Sequence, residues 1–360
     1  MPEPDLQPAP DKHGAELNAQ RFAMLEDIAK ELAGEVVFPV DFNATLRLRQ
    51  SLQNPDLPTG KIAAMVETEP LVAARLLKLA NSVKLRLAMR ICYVKPDLAK
   101  QYAMEAVRDG VMETADDSAL FQSWGSITII NPLEKIWNGY SDTRMGASMD
   151  SYLNGYNDPR LPVYFQPVTE GDNKGEYRGV ANGMPNPQQD DYKAMSAPNV
   201  QEKSTDSPLR WMMASEVAFL RAEGAMRGWT AEMGGTAEEF YNKGIELSFL
   251  ENGLSADAAA RYAADETSKP TDFTDVSAAN TKYNISALGK ITIKWNAGAS
   301  EEEQLERIIT QKWIAMFPNG TEAWSEFRRT GYPLIFPVRS NYPTSGVDTN
   351  KQIRRMVFPQ

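Results

Sequence analysis

The sequence predicts a mainly α protein built from tetratricopeptide-like helical hairpins, with long loops and a few short strands. Three observations predict it. From Pro70 the apolar residues Ala73, Leu76, Ala80, Val83, Leu87 and Ile91 recur every three or four positions, as on one side of a continuous helix. Thr236 with Glu239, and Ser300 with Glu303, have the spacing of capping boxes that open helices. Between these helical parts, residues 111–206 are rich in Asn, Asp, Gly, Pro and aromatic residues, the composition of long surface loops.

The elements follow in chain order. Residues 1–18 are Pro-rich and charged and read as a flexible arm. A helix over about 15–33 places Leu17, Phe22, Leu25, Ile28 and Leu32 on one side, and Gly34 ends it. NPDLPTG at 54–60 is a turn, and Pro70 suits the first turn of the long helix, where its missing donor costs nothing. A second helix over about 97–108 presents Leu98, Tyr102, Ala106 and Val107 and is capped by Gly110, so the two helices form a hairpin. SITII (126–130) and VYFQPV (163–168) are the extended candidates.

From Leu209 helices resume. WMMASEVAFLRAEGAMRGW is apolar on more than one side and reads as a buried helix, in which Ala222 and Ala225 permit close helix approach. The two capping boxes open helices through Leu250 and through Phe317, and a further helix restarts at Thr321 after Asn319 and Gly320. No exact tetratricopeptide consensus is present.

Composition narrows the chemistry. With 42% hydrophobic residues, 360 residues bury a proper core. A formal net charge of -10 argues against nucleic acid and anionic membrane surfaces as main partners and favours neutral ligands. Cys92 and His13 are each the only residue of their type, which excludes intramolecular disulfides, HExxH zinc sites, Ser-His-Asp triads and Cys-His dyads. No apolar run is long enough to form a transmembrane segment. The first residues, MPEPDLQPAPDKHG, lack the features of a secretory signal, so the chain as written is expected in the cytoplasm.

No catalytic residues, metal ligands or cofactor are expected. Asp116 with Asp117 and Asp190 with Asp191 are adjacent acids of the kind found in solvated turns, whereas glycosidase carboxylates are brought together from distinct positions. GDNKGE (171–176) lacks the spacing of a calcium loop. Arg328 and Arg329, beside Trp324 and Phe327, are expected in structural ion pairs and stacks. What remains is a ligand-binding set of aromatic and polar residues in loops. Sugar C–H faces stack on Trp and Tyr while Asn, Asp and Arg bond hydroxyls. IWNGYSDTR (136–144) supplies Trp137, Tyr140, Asp142 and Arg144; EYRGVANG (176–183) adds Tyr177, Arg178 and Asn182.

Two family resemblances appear. Four stretches resemble the C-terminal part of SusD/RagB-like proteins: ANSVKLRLAMRI, DTRMGASMDSYLNGYNDPRLPVYFQP (142–167), WMMASEVAFLRAEGAMRGW and ERIITQKWIAMFPNGTEAWSEFRRTGYPLIFPV (306–338). They span about residues 80–360. Residues 19–82 resemble instead the first helices of an HDOD domain, through FPV (38–40), NPDLPTGKIAAMV (54–66) and EPLVAARLLKLANS (69–82). The expected organisation is therefore the arm at 1–18, a partial HDOD-like helical segment at 19–82 and a truncated SusD-like domain at 83–360. The seam lies inside one helix.

The SusD-like resemblance implies a non-catalytic carbohydrate-binding protein for nutrient uptake in Bacteroidetes. It would bind oligosaccharide at the outer-membrane surface and work beside a TonB-dependent, SusC-like transporter. Neither a signal peptide nor a lipobox Cys stands in this sequence. The alternatives are an intracellular HDOD-type signalling or interaction module, or a non-functional chimera.

Overall fold

The computed structural model describes residues 58, 60, 61, 63, 64, 70–121, 131–141, 143–183, 189–199, 208–339, 348–350 and 352. The expected helix over 15–33, the FPV stretch, the SITII strand and Asp142 lie outside the described residues. The chain divides into two compact units, Met1–Leu77 and Lys78–Gln360.

Helix dominates the described residues. The longer helices are α1 (Pro70–Arg90), α2 (Pro96–Arg108), α3 (Ala147–Gly155), α4 (Ala214–Met226), α5 (Ala237–Leu250), α6 (Ala256–Ala263), α7 (Glu301–Ala315) and α8 (Gly320–Thr330). Short connections join α1 to α2, α5 to α6 and α7 to α8, giving the helical hairpins predicted. β1 (Ala119–Phe121) and β2 (Leu209–Met212) form a two-stranded antiparallel ribbon in which Leu120 faces Arg210 and Phe121 faces Leu209.

Local chemistry explains the boundaries. The capping box at Thr236 forms in full: its hydroxyl accepts from Glu239 N–H, and the Glu239 carboxylate accepts from Thr236 N–H. At Ser300 only half forms. The hydroxyl accepts from Glu303 N–H, but the Glu303 carboxylate takes Arg307 Nη1 at 2.7 Å instead. Asn319 caps α8, so that helix begins at Gly320, one residue before the expected start. Gly110, at φ +94, follows α2 in the left-handed conformation that suits glycine.

α4 is buried all round, as its apolar composition predicts, and separates two core clusters. On one side Val217, Ala218 and Leu220 meet Leu85, Ala88 and Met89 of α1 and Ala99, Ala103 and Ala106 of α2. On the other Phe219 and Ala222 meet Tyr152 of α3, Tyr241 and Ile245 of α5, and Ile308 and Ile309 of α7. A third cluster, including Ala147, Val168, Tyr192, Phe273 and Phe336, lies beneath the loops.

The observed packing corrects several expectations. α1 is one continuous helix, but its buried side carries Leu85, Ala88 and Met89, whereas Leu87 is 60% exposed. A nearby stripe of the same periodicity competes with the expected one. Ion pairs to buried glutamates also fix the rotation, with Arg86 on Glu216 and Arg90 on Glu326. α2 buries Ala99, Ala103 and Ala106 rather than Leu98 and Tyr102, which are exposed, and packs this small-residue side closely on the helical turn Thr230–Met233. VYFQPV is not a strand: Leu161–Tyr164 is a helical turn with Pro162 in its first turn, and Phe165 makes an isolated bridge to Pro198. Trp211 belongs to β2 and is exposed, so the buried helix begins only at Ala214. Asp190 and Asp191 lie in the short helix Gln189–Tyr192 rather than in a turn. No helix among the described residues is long and apolar enough to cross a membrane.

Candidate functional site

Three loop segments, 143–147, 177–181 and 194–198, run side by side. Val180 N–H donates to Met145 O at 2.8 Å and Ala147 N–H to Val180 O at 2.9 Å, while Met145 N–H donates to Ser196 O at 2.7 Å. Ser196 N–H closes the set on Arg178 O at 3.1 Å. Backbone pairing thus brings together parts of the sequence that carry the candidate residues.

Leading into the first segment, Asn131 accepts from Leu133 N–H and Pro132 opens a helical turn, Pro132–Glu134. That turn widens into a π-helical one, Lys135–Tyr140, which ends at Ser141 with φ 56. The widened turn carries Trp137, which is half-buried, and Tyr140, which is 59% exposed. Arg144 holds it in place. Its guanidinium lies 4.7 Å from the Trp137 ring centroid and donates to the carbonyls of Ser141 and Thr143, each at 2.9 Å, and Lys193. An arginine spent on three carbonyls orients the indole.

Asn182 is exposed beside this segment. Its side-chain oxygen would stand 3.5 Å from a Cβ placed on Gly146, and its carbonyl accepts from Arg339 N–H at 2.9 Å. Tyr177 and Arg178 belong instead to the scaffold. Tyr177 packs against the central core, and its carbonyl accepts from Asn154 Nδ2 at 2.9 Å. Arg178 donates to Thr274 O at 2.6 Å and Asn173 Oδ1 at 3.3 Å, and lies 3.6 Å from Asp150. Burial pushes the Asp150 carboxyl up, against donors from Gly179 N–H, Asn154 and Arg178.

The expected structural role of the arginine pair holds. Arg329 donates to both oxygens of Glu223 at 2.6 Å, and the Arg328 guanidinium lies 4.4 Å from the Trp324 centroid. In the calcium-like stretch at 171–176 the backbone closes on itself, with Gly175 N–H donating to Val168 O at 2.9 Å. Among the described residues no group of three or more His, Cys, Asp or Glu side chains is arranged to hold a metal ion.

One feature escaped sequence reasoning. Phe121 and Trp211, from the two strands of the ribbon, form an aromatic pair with centroids 5.8 Å apart at 57°, 45% and 44% exposed. Next to them Leu120 and Arg210 line a cleft of about 400 Å³, together with Leu133, Tyr164, Asn199, Asn252 and Phe317. The alternation of a strand was hidden because WMM runs directly into an apolar helix.

Comparison with known proteins gives this architecture its place. The family model for the Susd and RagB outer membrane lipoprotein matches residues 72–360, and that for the HDOD domain matches residues 39–99. No curated protein matches the chain. Among solved structures, it is similar to a chitin-binding SusD homologue from Flavobacterium johnsoniae. The two are 42% identical with a TM-score of 0.73, covering 80% of this chain and 57% of that one. It is also similar to a SusD-like protein from Bacteroides thetaiotaomicron VPI-5482, at 39% identity and TM-score 0.74, covering 88% of this chain and 63% of that one. A SusD homologue from Bacteroides vulgatus ATCC 8482 is 36% identical with a TM-score of 0.73, covering 86% and 61%. The chain therefore spans between 57% and 63% of the length of these relatives. With a family match over most of its length and the helical hairpins these relatives share, the chain belongs to the SusD-like family.

Proposed function

We propose that this chain is a non-catalytic glycan-binding protein whose Trp137–Tyr140 turn offers aromatic faces to an oligosaccharide, with Asn182 and Arg144 as its polar neighbours. The observation that carries this reading is Tyr140, 59% exposed in a polar loop beside a Trp137 ring held by Arg144. Aromatic rings fixed at a wet surface suit a ligand with apolar C–H faces and many hydroxyls. The chitin-binding SusD homologue supports β-linked N-acetylglucosamine oligomers as the first ligands to test. In the family role, the chain passes glycan to a TonB-dependent, SusC-like transporter at the outer membrane. Isothermal titration with chitin and starch oligosaccharides tests the binding step; absence of heat with every glycan overturns it. Co-elution with a SusC-like transporter tests the partnership.

A second reading is favoured by the HDOD match over 39–99, which overlaps the SusD-like match at 72–99. In it, the chain joins part of a signalling or interaction module to part of a glycan-binding protein, with the seam inside α1. Rapid proteolysis between residues 80 and 90 would support two independent pieces. Resistance there would support one adopted helix.

A further inference from the structure

α7 brings three carboxyl groups to one cavity. Glu302, Glu303 and Glu306 lie within about one helical turn of one another and line a space of about 590 Å³ together with Lys269, Lys290 and Tyr332. Two of the three are held by donors. Tyr332 Oη donates to Glu302 Oε1 at 2.8 Å, and Arg307 Nη1 donates to Glu303 Oε1 at 2.7 Å. Glu306 stands apart: its Oε1 is buried and has no hydrogen-bond partner among the described residues.

That oxygen bears on the charge state. A carboxylate with one oxygen buried and unpaired is far more costly than the neutral acid in the same place. Burial pushes the Glu306 carboxyl up; Arg307 opposes this, and Glu303 and Glu302 add to it. Burial acts in the same direction on Asp150 and Glu251, but donors support those two as anions. Asp150 accepts from Gly179 N–H at 2.6 Å and Asn154 Nδ2 at 2.8 Å, and Glu251 from Ser118 Oγ and Ser215 N–H, each at 2.9 Å. No donor does this for Glu306 Oε1, so the fold favours a proton there.

The surroundings of Glu306 connect that proton to a strap. Residues 331–336, which follow α8, are tied to α7 and α3: Tyr332 Oη to Glu302, Tyr152 Oη to Leu334 O at 3.3 Å, and Phe336 N–H to Ser148 Oγ at 2.9 Å. Glu306 acts on both phenols. Burial pushes each of them up, with Glu306 adding to it at Tyr152 and Glu302 and Glu306 adding to it at Tyr332. The charged and titratable groups facing Glu306 are thus Glu302, Glu303 and Arg307 on its own helix, Tyr152 and Tyr156 beside α3, Tyr332 on the strap, and Lys269 and Lys290 in the cavity. We propose that Glu306 is a proton-operated latch: protonated, it lets the strap close on α7 through Tyr332 and Glu302; ionised, with its proton released to water, it repels Glu302, turns toward Lys269 and Lys290, and loosens the strap. Because the folded chain favours the protonated form, the loosening grows as pH rises above the unfolded carboxyl value of about 4.3.

Hydrogen exchange of the full chain, read by mass spectrometry on a peptide covering residues 331–336, tests the latch. Wild type and Glu306→Gln share the intrinsic exchange rates of this peptide at any one pH, so their ratio reads opening of the strap. At about pH 8 wild type should exchange about tenfold faster than Glu306→Gln, the equivalent of one pKa unit, and at about pH 4 the two should match. Glu302 is exposed, so Glu302→Gln keeps the test decisive where Glu306→Gln fails to fold. It retains an acceptor for Tyr332 without the repelling charge, and should slow exchange at about pH 8 by about threefold. Equal exchange by wild type and the folded variants at every pH, or a difference that does not change with pH, overturns the latch.

Discussion

Arg160 and Asp158 form an ion pair with no exposed side-chain surface, Nη2 to Oδ2 at 2.7 Å and Nε to Oδ1 at 2.9 Å. The same guanidinium reaches Ser248 Oγ at 2.9 Å and Gln311 Oε1 at 3.0 Å, and it lies about 5 Å from the ring centroids of Phe249 and Tyr262. One side chain thus ties the loop after α3 to α5, α6 and α7. Arg160→Met leaves Asp158 buried without a counter-charge and should cost about 3–5 kcal/mol, read as a lower urea midpoint.

A second buried network should respond unevenly. Among the described residues, Arg86, Arg90, Arg227, Lys312 and Arg329 face Glu216, Glu223, Glu322 and Glu326, one cation in excess. Lys312 is the least well held: its ammonium is buried, 3.3 Å from Glu326, and makes no hydrogen bond. Burial pushes its pKa down. Lys312→Met should therefore change stability by less than about 1 kcal/mol, whereas Glu326→Gln, which removes the carboxylate that Lys312, Arg90 and Arg329 share, should cost about 3–5 kcal/mol. Equal losses in thermal or urea unfolding would contradict the imbalance.

Acid should weaken the hold of Asp117 on the chain ahead of it. Burial pushes this carboxyl up, but the backbone N–H groups of Glu113 and Thr114, the Thr114 hydroxyl and the Lys78 ammonium outweigh it and hold the pKa at about 2. A carboxyl depressed in the folded state contributes stability above its unfolded pKa of about 3.9. That contribution disappears as pH falls from about 4 through 2. Asp117→Asn should show a shallower loss of stability than wild type over this window; parallel curves would refute it.

Packing at Gly244 leaves no room for a methyl group. A Cβ there would lie 2.7 Å from ring carbons of Phe219, where α4 and α5 cross. Gly244→Ala should destabilise by about 1–3 kcal/mol through overpacking, despite the higher helix propensity of alanine. An unchanged melting temperature would show that the ring yields.

Much of the fold was legible because local signals agreed with tertiary packing. The Thr236–Glu239 box, the all-round apolar α4 and the Gly110 cap depend on neighbours in sequence, and each is present, α4 from Ala214 onward. Helix rotation was less legible, since the Arg86–Glu216 pair that fixes which side of α1 is buried spans 130 positions. The candidate site divided for a similar reason. Trp137 and Tyr140 share one local turn and Arg144 follows it closely in sequence, so their proximity was readable, whereas the inward turn of Tyr177 depends on the distant core it packs against. Phe121 and Trp211 meet only through strand pairing across 90 residues, beyond any local pattern.

Glycan binding through exposed loop aromatics is the central claim, and one titration tests it most directly. Calorimetry of the full chain with chitohexaose, alongside Trp137→Ala and Tyr140→Ala, should give saturable binding by wild type. Each variant should lose about 1 kcal/mol, near fivefold in Kd. Wild-type affinity in both variants, or no binding by wild type to chitohexaose or any other glycan tried, would contradict the account.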